Sequence, residues 1–185
     1  MHTPLTLADI DQAIRPKVYA QRYDAEPFVE GAKLVKLHSS IGEEGDFCEL
    51  LHLNDQAESK EVPGFRAVQV SRSTQFPGSI KAWHLHFAQD ELWYVPQEAH
   101  LTVGLWDVRH DSKTKGLTNR LVMGGGTQQL LYIPRGVAHG SANVSSTQLG
   151  IIMYFANNTF DPKNPDEHRI PWDALGADFW KPQRD

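Results

Sequence analysis

The sequence predicts an all-β domain, a sandwich or a barrel, and three observations carry that expectation. Short runs that alternate apolar and polar residues recur along the chain. Clusters of Gly, Pro and Asn separate them. A helical apolar spacing occurs only near the N-terminus. The 185 residues suit one domain over 1–185, because no composition break divides them. Hydrophobic residues at 40% and charged residues at 22% are ordinary for a soluble globular chain.

The elements follow in order. Thr6 is placed to cap a short helix over residues 7–14, which Pro16 ends. Strand-like runs come next at 33–37, 45–53 and 64–73, with a polar turn at 54–60. The turn Phe76-Pro77-Gly78 leads into a run at 79–86. Further runs at 92–95, 99–108, 117–123, 129–133 and 148–154 complete the series. Gly124-Gly125-Gly126 is a loop; no helical pattern follows it, so it is no phosphate cradle. The barrel core thus spans about 33–160. From about 161 to 185, Pro162, Pro165, Pro171 and Pro182 interrupt Trp172, Phe179 and Trp180. That segment reads as an irregular tail that packs its aromatics on the barrel.

Charge and cysteine use exclude several classes. A net charge of −5 and a pI near 6.0 oppose a nucleic-acid partner. Cys48 is the one cysteine, so there is neither an internal disulfide nor a cysteine zinc pattern. The first ten residues lack the basic start and apolar run of a signal peptide. No stretch nears the roughly 18 apolar residues of a membrane span. A cytoplasmic chain without a membrane partner is expected.

His84-Leu85-His86 and the later His139 carry the chemistry. On a strand, residues i and i+2 share a face, so His84 and His86 point into one cavity while Trp83 and Leu85 point away. The turn Pro134-Arg135-Gly136 delivers His139 from elsewhere. Three imidazoles can hold a metal or move protons. The pattern Gly78, His84, His86, Glu91, then Pro134, Gly136, His139, Asn143, resembles the paired motifs of the cupin superfamily. That resemblance implies a double-stranded β-helix, a jelly-roll barrel. In metal-binding cupins the residues matching His84, His86, Glu91 and His139 ligate one divalent transition metal.

A longer resemblance runs from about residue 43 to 180. Gly45-Asp46-Phe47-Cys48-Glu49, Ser71-Arg72-Ser73, Gly78-Ser79-Ile80-Lys81-Ala82-Trp83-His84 and the loop 107–116 each match a segment of one family. So do Leu131 to Gly140, Tyr154 ahead of Asp161-Pro162, and Glu167-His168-Arg169-Ile170-Pro171-Trp172-Asp173. The chain resembles the dTDP-4-dehydrorhamnose 3,5-epimerases, cupins that work without a cofactor. The resemblance implies a nucleotide-linked 4-keto-6-deoxy sugar as substrate and a homodimer that exchanges an N-terminal strand. It implies His84 as base, Asp173 as its orienting carboxylate, Tyr154 as acid and His139 near the sugar or enolate oxygen. Lys81, Arg72, Glu49 and His86 are the expected substrate contacts, with no metal.

The departures are specific. Lys81 stands where the family has arginine, Ala82 where it has glycine and Trp83 where it has leucine. The family lysine after the histidine strand has no counterpart, and Glu91 lies near that place. Ala67, Gln69, Thr159 and Phe160 also differ from the pattern. A divergent epimerase or isomerase is expected. The alternatives are a metal-dependent cupin enzyme using His84, His86, Glu91 and His139, and a sugar-binding cupin without catalysis.

Overall fold

Two antiparallel sheets face each other in a computed structural model that describes residues 2–21, 23, 24 and 26–182. The strands are β1 (Lys33–Lys36), β2 (Ser39–Gly42), β3 (Gly45–Cys48), β4 (Gln69–Gln75), β5 (Ile80–Leu85), β6 (Glu91–Tyr94), β7 (His100–Asp107), β8 (Thr118–Gly124), β9 (Gln129–Ile133), β10 (Val137–Ala142), β11 (Gly150–Ala156) and β12 (His168–Arg169). One sheet has the order β1-β9-β6-β11-β4 and the other β12-β5-β10-β7-β8. The hairpin β2-β3 joins neither. This is the jelly roll the sequence predicts.

Strand alternation builds the core. On β6, Leu92 and Tyr94 turn outward to Val62, Phe65 and Leu130, whereas Trp93 turns inward to Leu131, Ile133 and Ile152. Leu101, Val103 and Leu105 of β7 close the inner layer from the other sheet. A third cluster lies outside the second sheet, where Trp83 packs on Trp180 at 4.7 Å and on Phe179 at 5.1 Å between ring centroids. The tail therefore docks as expected, although Trp172 stays 44% exposed. Residues 183–185 of the expected tail lie outside the described residues.

Several expectations change. The N-terminal helix is instead two short 3₁₀ turns, Leu7–Asp9 and Arg15–Lys17, with Pro16 inside the second. Neither turn buries a residue, so no packing offsets the cost of helix nucleation. The run at 45–53 ends at Cys48, and the run at 64–73 becomes Gln69–Gln75, because Val62 and Phe65 tuck under the sheet at 3% exposure each. β10 is an added strand whose residues are all buried, so it shows no alternation. Its pairing with β5 slips by one residue between His139 opposite His84 and Ser141 opposite Lys81. Gly140 sits at the slip, where a Cβ would fall 2.4 Å from the Ala82 Cβ. Only glycine lets the strands approach so closely there.

Candidate active site

Between the two sheets opens a cavity of about 570 Å³. One wall is β4 and β11, with Ser71, Ser73 and Tyr154. The other is β5 and β10, with Lys81, His84 and His139. Glu91 and Trp93 of β6, and His86 just past β5, complete its lining with residues of the 158–169 segment. Trp83 and Leu85 lie in the outer cluster, as alternation requires.

The 158–169 segment is pinned by Asp166. Its carboxylate accepts the backbone N–H groups of Phe87 and Ala88 at 2.7 Å and of Gln89 at 2.9 Å. β12 then pairs with β5, setting His168 opposite Leu85 and Arg169 opposite His84. Glu167 and Arg169, two positions apart, thereby share the face that meets the cavity.

His84 is held by both. Its Nδ1 lies 2.7 Å from Glu167 Oε1, and Arg169 Nη1 donates to its Nε2 at 2.8 Å. A guanidinium only donates, so Nε2 is the acceptor and Nδ1 carries the proton toward Glu167. Burial is the largest influence and holds the His84 pKa below its ordinary value; the Glu167 hydrogen bond opposes it. Tyr154, on the facing wall, has its phenol pushed up by burial, against the Ser73 hydroxyl. It is a protonated donor at neutral pH. Its ring meets Trp93 edge-on at 5.3 Å, and Trp93 meets His139 at 5.1 Å.

Glu91 faces inward at 7% exposure. It accepts Trp93 Nε1–H at 2.6 Å and Gln89 Nε2–H at 2.7 Å. Burial alone would raise its pKa; His139, His86 and the Trp93 indole outweigh it, and the group is an anion. His139 is 2% exposed and stacks on His84 with centroids 5.9 Å apart. Lys81 Nζ donates to Ser73 Oγ and to the Thr74 carbonyl, each at 2.7 Å.

Four expectations need correction. Asp173 does not orient His84: the chain turns away after β12, and Asp173 is exposed in a turn whose carbonyl accepts Gly176 N–H at 2.7 Å. Glu167 takes its place. Arg72 faces outward, since Ser71 and Ser73 take the inner positions of β4. Glu49 lies beyond β3, exposed beside His52 at 3.2 Å and away from the cavity. The metal set expected from four residues loses His84, whose two nitrogens face Glu167 and Arg169, and keeps His86, Glu91 and His139. Reading the sequence missed Glu167 and Arg169 as site residues; the Glu-x-Arg spacing was the available signal.

Comparison with known proteins agrees with this architecture. The family model described as dTDP-4-dehydrorhamnose 3,5-epimerase matches residues 27–183. The spore coat polysaccharide biosynthesis protein SpsL of Bacillus subtilis is 44% identical over 145 residues, covering 78% of this chain and 91% of that protein. A dTDP sugar isomerase from Desulfovibrio desulfuricans superposes with a TM-score of 0.67 at 27% identity, over 80% of this chain and 88% of the other. The Legionella pneumophila dTDP-6-deoxy-D-glucose-3,5-epimerase, solved with dTDP-4-keto-L-rhamnose, has the same fold. Its TM-score is 0.67 at 23% identity, over 80% of this chain and 78% of the other.

Proposed function

The chain belongs to the dTDP-4-dehydrorhamnose 3,5-epimerase family, and we propose how its cavity carries out the work of a sugar-nucleotide epimerase. It is an isomerase of carbohydrate biosynthesis. The substrate is a nucleotide-linked 4-keto-6-deoxy sugar. Inversion beside the ketone needs a base on one face of the carbon and an acid on the other. One observation carries the assignment: His84, oriented by Glu167, and Tyr154 lie on facing walls of one cavity.

His84 Nε2 takes the proton from the carbon beside the ketone once Arg169 yields that position. Glu167 steadies the imidazolium that forms. Tyr154 returns a proton from the opposite side. Lys81, at the cavity wall beside Ser73, contacts the sugar or its diphosphate. The reaction moves only protons and calls for no cofactor. We also propose a homodimer. Hairpin β2-β3 joins neither sheet, and it exposes Ile41 at 86% and Phe47 at 71%. Glu49 would reach substrate only across such an interface, and light scattering checks the mass. A cytoplasmic setting is part of the proposal; among the described residues no helix is long and apolar enough to cross a membrane.

The test is deuterium uptake from D₂O into nucleotide-linked 4-keto-6-deoxy sugars, read by mass spectrometry. His84→Ala should lose exchange by about 10²–10⁴-fold. Tyr154→Phe should keep exchange at the carbon while inverted product fails to accumulate. Undiminished exchange in His84→Ala would place the base elsewhere. Binding without exchange in the wild type would leave a sugar-binding protein.

A further inference from the structure

Proton removal by His84 puts charge on the substrate. The electron pair of the broken C–H bond becomes the C=C bond of an enolate, and the ketone oxygen turns negative. A fixed, positively charged donor aimed at that oxygen lowers the barrier. Lys81 and Arg169 are the lysine and arginine among the described residues that line the cavity. Lys81 Nζ is turned across to β4, where it donates to Ser73 Oγ and to the Thr74 carbonyl at 2.7 Å each. His139 is 2% exposed, and its nitrogens face the Val137 carbonyl at 2.9 Å and Glu91 at 3.4 Å. Glu91 is itself an anion.

Arg169 already stands at the reacting place. The register of β12 on β5 sets it opposite His84, and its Nη1 donates to His84 Nε2 at 2.8 Å. Its Nε lies 2.9 Å from Glu167 Oε1, and the same oxygen meets His84 Nδ1 at 2.7 Å. One carboxylate oxygen thus anchors the base and the cation together. The Arg169 side chain is 55% exposed, so the guanidinium can turn about that anchor without disturbing the core. Its five N–H donors leave several free to reach a new acceptor.

The spot that Nη1 holds is the one a reacting carbon has to take. Reacting atoms meet at about 3–3.5 Å, and ordinary bond lengths put a ketone oxygen about 2.4 Å from the neighbouring carbon. A sugar that displaces Nη1 from the lone pair therefore brings its ketone oxygen close to the displaced N–H. Arg169 exchanges a neutral acceptor for one that becomes an anion as the proton moves. The contact strengthens in the transition state, which is what accelerates the step.

We propose that Arg169 is a catalytic residue, the donor that holds the ketone oxygen as it becomes an enolate oxygen. The role rests on the epimerase reading above. The proton passes to His84 Nε2 while the guanidinium holds the oxygen. Tyr154 then protonates the opposite face, the oxygen returns to a ketone, and His84 and Tyr154 restore their protons with solvent.

Deuterium uptake from D₂O into nucleotide-linked 4-keto-6-deoxy sugars, followed at varied sugar concentration, gives kcat and KM for exchange. Arg169→Ala should lose about 10²–10³-fold in kcat with little change in KM. Arg169→Lys should lose less, because it keeps the charge without the fork. Added guanidinium ion at low concentration should raise the rate of Arg169→Ala and leave wild type unchanged. Exchange in Arg169→Ala as fast as wild type, or faster, would overturn the role and leave Arg169 a cover on the base. A raised KM with kcat intact would overturn it too, and make Arg169 a contact of the bound ground state. Either result leaves the epimerase reading standing. Wild-type protein that binds the sugar without exchange would defeat that reading, and the role of Arg169 with it.

Discussion

Glu167 and His84, 83 positions apart in the chain, meet at 2.7 Å between Oε1 and Nδ1. The pair fixes which nitrogen of the base is free. Glu167→Gln should keep the tautomer, because the amide oxygen can accept from Nδ1–H while Arg169 still donates to Nε2, but it removes the negative charge that steadies the imidazolium. We expect kcat/KM to fall by about 10²-fold or more. Asp173→Asn, on an exposed turn, should stay within about 0.5 kcal/mol in stability and keep its activity. Steady-state kinetics of the two variants compare the carboxylates directly. Full activity in Glu167→Gln would remove Glu167 from the mechanism.

The acid limb of the pH–rate profile should report His84. Burial holds its pKa below the ordinary 6.5, so the neutral base persists under mildly acidic conditions and kcat/KM falls only below that value. Arg169 also lowers the pKa of His84 through its charge. Arg169→Ala should therefore move the acid limb upward. A limb that stays in place, or moves down, would show that another group is titrating.

Gly140 and Gly42 should respond in opposite ways to alanine. A Cβ at Gly140 meets Ala82 at 2.4 Å, at the slip that sets His84 opposite His139. Gly140→Ala should cost about 1–3 kcal/mol or more and depress activity by shifting β5. At Gly42 nothing lies within 4 Å of an added Cβ, and that substitution should be near neutral. Denaturant melts of both variants check the contrast.

Asp107 should dominate acid sensitivity. It is fully buried and accepts Arg109 Nε and Nη2 at 2.8 Å each, with Ser112 and Thr114 beside it. Burial opposes ionisation, but these donors hold its carboxyl well below the ordinary 3.8. Its folded pKa is depressed, so its stabilisation is present above about pH 4 and is lost as pH falls below 3.8 toward the folded value. Asp107→Asn should cost on the order of 3 kcal/mol at pH 7 and less at pH 3. Urea melts at both pH values measure the difference.

The sequence alone determined the sheet-rich fold and the inward pair His84 and His86. Both follow from local signals, the alternation of side chains along a strand and the turn residues that end it. His139 and Tyr154 were legible too, because they stand in matched segments. The tail's aromatic packing was legible from Phe179 and Trp180, although Trp172 stayed largely outside it.

Tertiary structure decided what depends on pairing between distant segments. Glu167 and Asp173 are both carboxylates of one segment, and nothing local ranks them. The register of β12 on β5, with Arg169 opposite His84, brings Glu167 to the base and leaves Asp173 in solvent. The same holds for Arg72 between Ser71 and Ser73. Alternation says that it faces away from its neighbours, but only docking of β4 against β11 says which side is the cavity. Glu91 turns inward because Leu92 and Tyr94 are claimed by the outer cluster. A one-residue slip in a strand exchanges its two faces at no cost visible in composition, so the partner sheet has to make that choice.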